Sequence, residues 1–321
     1  MNATHSCTAE MPYGFLPRLK GLYIASELLI AVMAIIGNVL VCLAVTRNKK
    51  LRTVTNYFLV SLAVSDILVG LVAIPCAVLT DLGQPRHNLP LCLVLLSILM
   101  VLTQSSILSL LAVAAERYMA ILLPFQYQRM MSPRNAQLAL LVTWGLGAIS
   151  GTVPLMDWKR QPADSDYCIF TCVVDMSYMV YFNFFCCLLV PLVAMIIIYA
   201  HIFLTVRRQL RRIAVARGTG EDARAGASGS SGTSQELRKA TSLFMVLFLF
   251  TVCWLPIHLI NCILLLCPNC NVPMSLTLTA ILLSHANSAL NPILYAYRMR
   301  SFRHTLIGMW RGVWSAGPKH Q

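Results

Sequence analysis

Trp254, His258 and Asn261 stand at i, i+4 and i+7, so on a helix they share one face. Two offer hydrogen-bonding atoms and the third a broad aromatic surface, all inside a long apolar stretch. Pro256 lies among them; lacking an N–H, it kinks a helix at that point. Such a face suits a ligand pocket with a movable floor. The competing reading is a packed tryptophan and a satisfied interior histidine. Asp66 is a second candidate, a carboxylate deep in an apolar stretch that needs a cation, a proton or dense hydrogen bonding. The cysteines are a third. Cys42, Cys76, Cys186, Cys187, Cys253 and Cys262 lie within apolar stretches, where cysteine serves as a small filler. Cys7, Cys92, Cys168, Cys172, Cys267 and Cys270 lie at or beyond their ends; their pairing does not follow from sequence alone. No nucleophile–base set and no metal triad stands out, which speaks against an enzyme.

The elements that must position these groups are apolar spans near 21–46, 54–79, 90–122, 136–156, 177–204, 239–266 and 274–296. Each exceeds the roughly 20 residues a helix needs to cross the hydrocarbon. The chain is 58% hydrophobic and 12% charged, whereas a soluble protein carries about 25% charge. The alternating segments of about 10 residues that build membrane β-barrels are absent from the pattern. The expected fold class is therefore all-α membrane, a seven-transmembrane helix bundle with a short amphipathic eighth helix.

A net charge of +13 invites a nucleic-acid reading, but its distribution does not support one. With the N-terminus outside, the inner segments hold all of the 25 basic residues except Arg18, Lys20, Arg86, Lys159 and Arg160. The positive-inside rule then places the C-terminus in the cytoplasm and requires an odd number of spans. The expected organisation is an extracellular N-terminus over 1–20, a bundle over 21–297 and a tail over 298–321. Within the bundle, 157–176 form the second extracellular loop and 207–238 the third intracellular loop. The fifth helix is expected to continue past Arg207, and Gly218–Ser234 to be a flexible linker. Phe302, Leu306, Met309 and Trp310 alternate at helical spacing with arginines, which fits an amphipathic helix on the bilayer surface. Residues 1–20 lack an apolar signal-peptide core, so the first span is expected to act as its own insertion signal. Asn2 begins an N-x-T sequon on the expected outer side.

Several motifs in order resemble the rhodopsin-like G-protein-coupled receptors: Asn38, Asp66 in Leu62–Asp66, Glu116-Arg117-Tyr118, Trp144, Pro191, Trp254-Leu255-Pro256 and Asn291-Pro292-Ile293-Leu294-Tyr295. Within that group, Cys253–Cys262, Ser284–Ser288, Tyr178–Phe185, Leu102–Ser106 and Cys267-Pro268-Asn269-Cys270 are similar to the adenosine receptor family. That resemblance implies a plasma-membrane receptor for extracellular adenosine. It would act through a heterotrimeric G protein on adenylyl cyclase, with arrestin as a further partner and the bilayer as its solvent. It implies that Asn261 pairs bidentately with the purine, that Phe170 stacks on its face, and that Ser284, His285, Thr103 and His258 surround the ribose. Glu27 would hold His285, Trp254 would form the floor, and Met179, Leu255 and Ile281 the walls. Asp66, Ser106, Asn287 and Asn291 would form a sodium site, the one bound ion expected in the absence of any organic cofactor. Arg117 would pair with Glu116 and Glu236 at rest, with Tyr118, Asn291, Pro292 and Tyr295 taking part in activation. Disulfides Cys92–Cys168 and Cys267–Cys270 are implied, as is glycosylation of Asn2.

Some positions depart from the family. Thr171 stands where many members carry a glutamate that accepts from the purine amine, Glu116 replaces the commoner aspartate, and Leu99 and Met100 are bulky for the sugar end. These departures keep open a receptor of the same fold for a modified nucleoside or a lipid. A transporter or channel is the remote alternative, since no half-length broken helices are visible. The short tail and the run Leu243–Phe250 lean toward lowering cyclic AMP; His258 and the Cys267/Cys270 pair fit other subtypes better.

Overall fold

The computed structural model describes residues 17–153, 167–218, 226–267, 270, 272–298 and 300–315. Capping residues cut the apolar runs into helices. The first, α1, spans Pro17–Arg47. Thr53 caps α2, which runs Val54–Asp81, by accepting from the Asn56 N–H. Asn88 caps α3 (Leu89–Leu122), accepting from the Leu91 N–H at 3.1 Å. Ser132 does the same for α4 (Pro133–Thr152). Each cap satisfies an N–H that has no partner within its helix. Pro90 and Pro133 sit in first turns, where the missing N–H costs nothing. In α2 a π-turn at Val69–Ala73 ends two residues before Pro75. The ring of Pro75 would crowd the carbonyl of Leu71, and the wider turn relieves that clash.

Helix α5 opens as a π-helix over Tyr178–Leu189 and continues as Val190–Gly218. It is followed by α6 (Gly226–Leu266), α7 (Met274–Arg298) and α8 (Arg300–Ser315). Short helices at Pro124–Met130 and Phe170–Val173 lie between. The packing closes a ring: α1 on α2 and α7, α3 on α2, α4 and α5, and α6 between α5 and α7. Gly147 and Gly151 bring α4 close to α3; a Cβ on Gly151 would lie 2.4 Å from the Val101 nitrogen. The main core runs through this ring and includes Leu62, Ile107, Met195, Phe250 and Trp254.

Among the described residues, five of the seven long helices are apolar enough to cross a membrane by length and composition alone; α4 and α7 are not among them. The physical reason in α7 is a polar interior face: Ser284, His285, Asn287, Ser288 and Asn291 are all buried in the bundle. The first turn of α4 carries Arg134, Asn135 and Gln137. The fourth span, expected over 136–156, is helical from Pro133 to Thr152, and residues 154–166 lie outside the described residues. The expected linker over 218–234 is corrected in part, because Gly226–Ser234 belongs to α6. Once a helix is nucleated, each added residue gains a backbone hydrogen bond, so a long helix extends into poor formers. The basic segment beyond Arg207 is helical, as expected, and the helix runs on to Gly218, the first residue of the expected linker. Asn2 and Cys7 lie outside the described residues.

Candidate functional site

Helix α6 turns Trp254, His258 and Asn261 inward; the three are 9%, 3% and 6% exposed. Their face therefore points into the bundle and not at lipid. The rings form a column. Phe250 and Trp254 have centroids 6.4 Å apart, and Trp254 and His258 are 6.2 Å apart. His258 stacks on Phe184 of α5 at 5.4 Å. Trp254 Nε1 and His258 Nδ1 are buried with no hydrogen-bond partner. Buried polar atoms are nearly always paired, so these two atoms are available to a polar partner on this face.

On the adjoining α7, His285 Nδ1 lies 2.9 Å from both carboxylate oxygens of Glu27 in α1. A carboxylate only accepts, so Nδ1 carries the proton and Nε2 is the nitrogen left to face a guest. Ser284 donates to the Ile281 carbonyl at 2.7 Å. Thr103 donates to the carbonyls of Leu99 and Met100 at 2.9 and 3.1 Å. Both hydroxyls thus spend their proton on their own helix and keep oxygen lone pairs as acceptors. Leu255 packs on the main core, and Ile281 is half-buried on α7.

The Cys92–Cys168 disulfide ties the segment before Phe170 to the first turn of α3, with Cα atoms 5.6 Å apart. Phe170 packs in one cluster with Met100, Tyr178 and Met179. Leu99 joins a different cluster, with Val69 and Ile74 of α2. The side chain of Thr171 lies outside the described residues. Cys267 and Cys270 are bonded to each other between α6 and α7.

Deeper in the bundle, Asp66 is fully buried. Ser106 donates to its Oδ1 at 2.7 Å and Asn291 to its Oδ2 at 2.8 Å. Asn287 is buried one turn before Asn291. Carboxylate, hydroxyl and amide oxygens are hard donors, so this set fits a small hard cation. Asn38 donates to the Ser288 carbonyl at 2.9 Å, and Pro292 abuts Gly37, which knits α7 to α1.

At the opposite end from the Cys92–Cys168 bond, Arg117 Nε lies 3.6 Å from Glu116 Oε2. The other oxygen of Glu116 accepts from Tyr127 at 2.7 Å and from Thr55. Burial pushes the Tyr127 phenol above its ordinary value, which keeps it a donor. Tyr118 meets His201 of α5 at 3.1 Å. Tyr295 is buried against Phe302, with ring centroids 6.2 Å apart. The side chain of Glu236 lies outside the described residues.

Sequence reasoning missed Tyr127 and Thr55, which come from separate elements with no periodic link to Glu116. It also missed the 2.5 Å bond from Tyr23 to Asp81. There a signal existed, because Tyr23 stands four residues before Glu27 on the same helical face.

Residues 37–295 match the 7 transmembrane receptor (rhodopsin family). The Homo sapiens adenosine receptor A2a is 45% identical over 302 residues, covering 89% of this chain and 71% of the relative. The Canis lupus familiaris A2a is 45% identical over 299 residues, covering 88% and 70%. The Gallus gallus A2b is 43% identical over 310 residues, covering 89% and 87%. These A2a and A2b relatives give no support to the lean toward lowering cyclic AMP. The lean rested on the short tail and on the helix-six run Leu243–Phe250. In that run Met245 and Phe248 are exposed on the bundle's outside while Leu247 and Phe250 are buried. With the motif order, the buried α6 face and these matches together, the chain belongs to the adenosine receptors of the rhodopsin-like seven-transmembrane family, which are receptors and not enzymes.

Proposed function

We propose that this chain is a plasma-membrane receptor for extracellular adenosine that signals to adenylyl cyclase through a heterotrimeric G protein. The observation that carries the proposal is the buried α6 face, where His258 Nδ1 and Trp254 Nε1 are unpartnered and Asn261 is buried one turn beyond. The printed names of the relatives point to the same ligand.

Asn261 offers an amide N–H and carbonyl to the purine edge, and Phe170 an aromatic face to its plane. Ser284, Thr103 and His285 offer acceptors and a ring nitrogen to the ribose hydroxyls. Met179, Leu255 and Ile281 are the apolar walls. The N-terminus and the disulfide end face outward, since the basic residues gather at the other end. Agonist binding favours the state in which Trp254 has shifted and α6 has swung at its Arg117 end. A fivefold to 150-fold preference for that state corresponds to about 1–3 kcal/mol of coupling. In the resting state Glu116 holds Arg117 and Glu236 assists. Tyr118, Asn291, Pro292 and Tyr295 carry the change to the G-protein face, which arrestin also reads. Asp66, Ser106, Asn287 and Asn291 would hold a sodium ion, which neutralises the buried carboxylate when bound.

The test is cyclic AMP in cells that express the chain, dosed with adenosine and with a panel of modified nucleosides and lipids. A saturable change of either sign with adenosine supports the proposal. A response to another panel member with none to adenosine replaces the ligand and keeps the receptor. No response to any of them removes the proposal.

A further inference from the structure

A polar cluster at the disulfide end of α1, α2 and α7 extends beyond the Glu27–His285 pair. Tyr23 and Glu27 stand one turn apart on α1, so their side chains share a face. The Tyr23 hydroxyl is within reach of both Glu27 and Asp81, the last residue of α2. It donates to Asp81 Oδ2 at 2.5 Å. A phenol has one O–H proton to give. Once that proton is spent on Asp81, it no longer competes for Glu27, and both Glu27 oxygens lie 2.9 Å from His285 Nδ1. Tyr23 is 3% and Glu27 0% exposed, so bulk solvent has little access to either.

We infer that Asp81 is a positioning residue for the ligand pocket: by taking the Tyr23 proton it reserves both oxygens of Glu27 for His285 and so fixes the direction of the imidazole. The chain of action runs across three helices, from α2 through α1 to α7. Without Asp81, the Tyr23 hydroxyl turns to Glu27 and draws one oxygen away from His285. The imidazole then loses its symmetric clamp and its Nε2 is free to swing. The consequence for adenosine affinity rests on the function proposed above; the consequence for the imidazole does not.

The test is a set of four proteins beside the wild type: Asp81→Ala, Asp81→Asn, Tyr23→Phe and the Asp81→Ala/Tyr23→Phe double variant. Each is read in two ways, by radiolabelled adenosine-analogue binding on surface-expressed receptor and by the imidazole nitrogen NMR signal of His285 in histidine-labelled protein. Asp81→Ala is expected to weaken binding about three- to tenfold, the range of one neutral hydrogen bond, and to shift the His285 signal. Asp81→Asn keeps an acceptor for Tyr23 and is expected to retain both. The double variant, which has no hydroxyl left to compete, is expected to recover both. A merely structural role for Asp81 would not be rescued by removing a second group. An unchanged His285 signal in Asp81→Ala, or a double variant no better than Asp81→Ala in that signal, overturns the inference. If the wild type does not bind the analogue, the adenosine proposal fails, and the nitrogen signals still decide the role of Asp81. Should Asp81→Ala not reach the surface, Asp81→Leu takes its place, since it also lacks an acceptor for Tyr23 while filling the side-chain volume; an unchanged His285 signal in Asp81→Leu, or no recovery of it in Asp81→Leu/Tyr23→Phe, overturns the inference.

Discussion

Replacing Gly151 by alanine tests the packing that sets one wall of the pocket. A Cβ at this position would lie 2.4 Å from the Val101 nitrogen and 2.5 Å from its Cα. Carbon atoms in contact sit at about 3.5–4.0 Å, so the shortfall is roughly 1 Å. Both obstructing atoms are backbone, which has no rotamer to escape into, so α4 must separate from α3. Overpacking of this kind costs about 1–3 kcal/mol. At Gly147 the nearest atom is the Ser105 hydroxyl at 2.4 Å, with the Ser105 Cα at 3.0 Å. That hydroxyl can rotate away, so the penalty is smaller. At Gly145 nothing lies within 4 Å, and alanine should gain about 1 kcal/mol of helix propensity there. Thermal unfolding of the detergent-solubilised protein should therefore rank Gly145→Ala at or above wild type, then Gly147→Ala, then Gly151→Ala. At roughly 2–4 °C per kcal/mol, the last should melt several degrees low. It should also bind ligand more weakly, because Val101 adjoins Met100, which packs with Phe170. Equal melting of Gly151→Ala and wild type, or equal damage at Gly145, would refute the reasoning.

Tyr127→Phe removes a hydrogen bond of about 1.5–3 kcal/mol to the Glu116 carboxylate and should raise agonist-free G-protein activation by up to about 10- to 150-fold, read by nucleotide exchange on the G protein without ligand. Ser61→Ala strands Trp144 Nε1, which now donates to Ser61 at 3.0 Å; melting should fall by a few degrees, for a loss of about 1 kcal/mol, while ligand affinity holds. The two disulfides should separate by loop size: Cys92→Ser opens a link between residues 76 apart and Cys267→Ser one between residues 3 apart. The chain-entropy estimates are about 4–5 against about 2 kcal/mol, so surface expression and binding should suffer far more from the first.

The helices were legible as long, largely apolar runs, the weakest being α4 and α7, and the inward face of α6 because Trp254, His258 and Asn261 repeat at helical spacing. Periodicity shows which residues share a face within one helix. It does not show which neighbour that face meets. Glu116 illustrates the limit: its partners Thr55 and Tyr127 come from α2 and from a short helix after Pro124, brought together only by the tertiary fold. Asp81 is similar, a residue at the very end of α2 whose role depends on α1 lying beside it. The linker expectation gave way over Gly226–Ser234 because composition reports local preference, while a long helix propagates cooperatively past it. The coupling lean finds no support among the relatives, and the apolar run it drew on is shared between lipid and core.

The most direct measurement is saturation binding of a radiolabelled adenosine analogue to wild-type receptor and to Asn261→Ala at equal surface expression. A bidentate amide contact is two hydrogen bonds, and its loss strands polar groups on a buried ligand, so affinity should fall by roughly a hundredfold. Wild-type affinity in the Asn261→Ala protein would contradict the placement of the ligand on the buried face of α6.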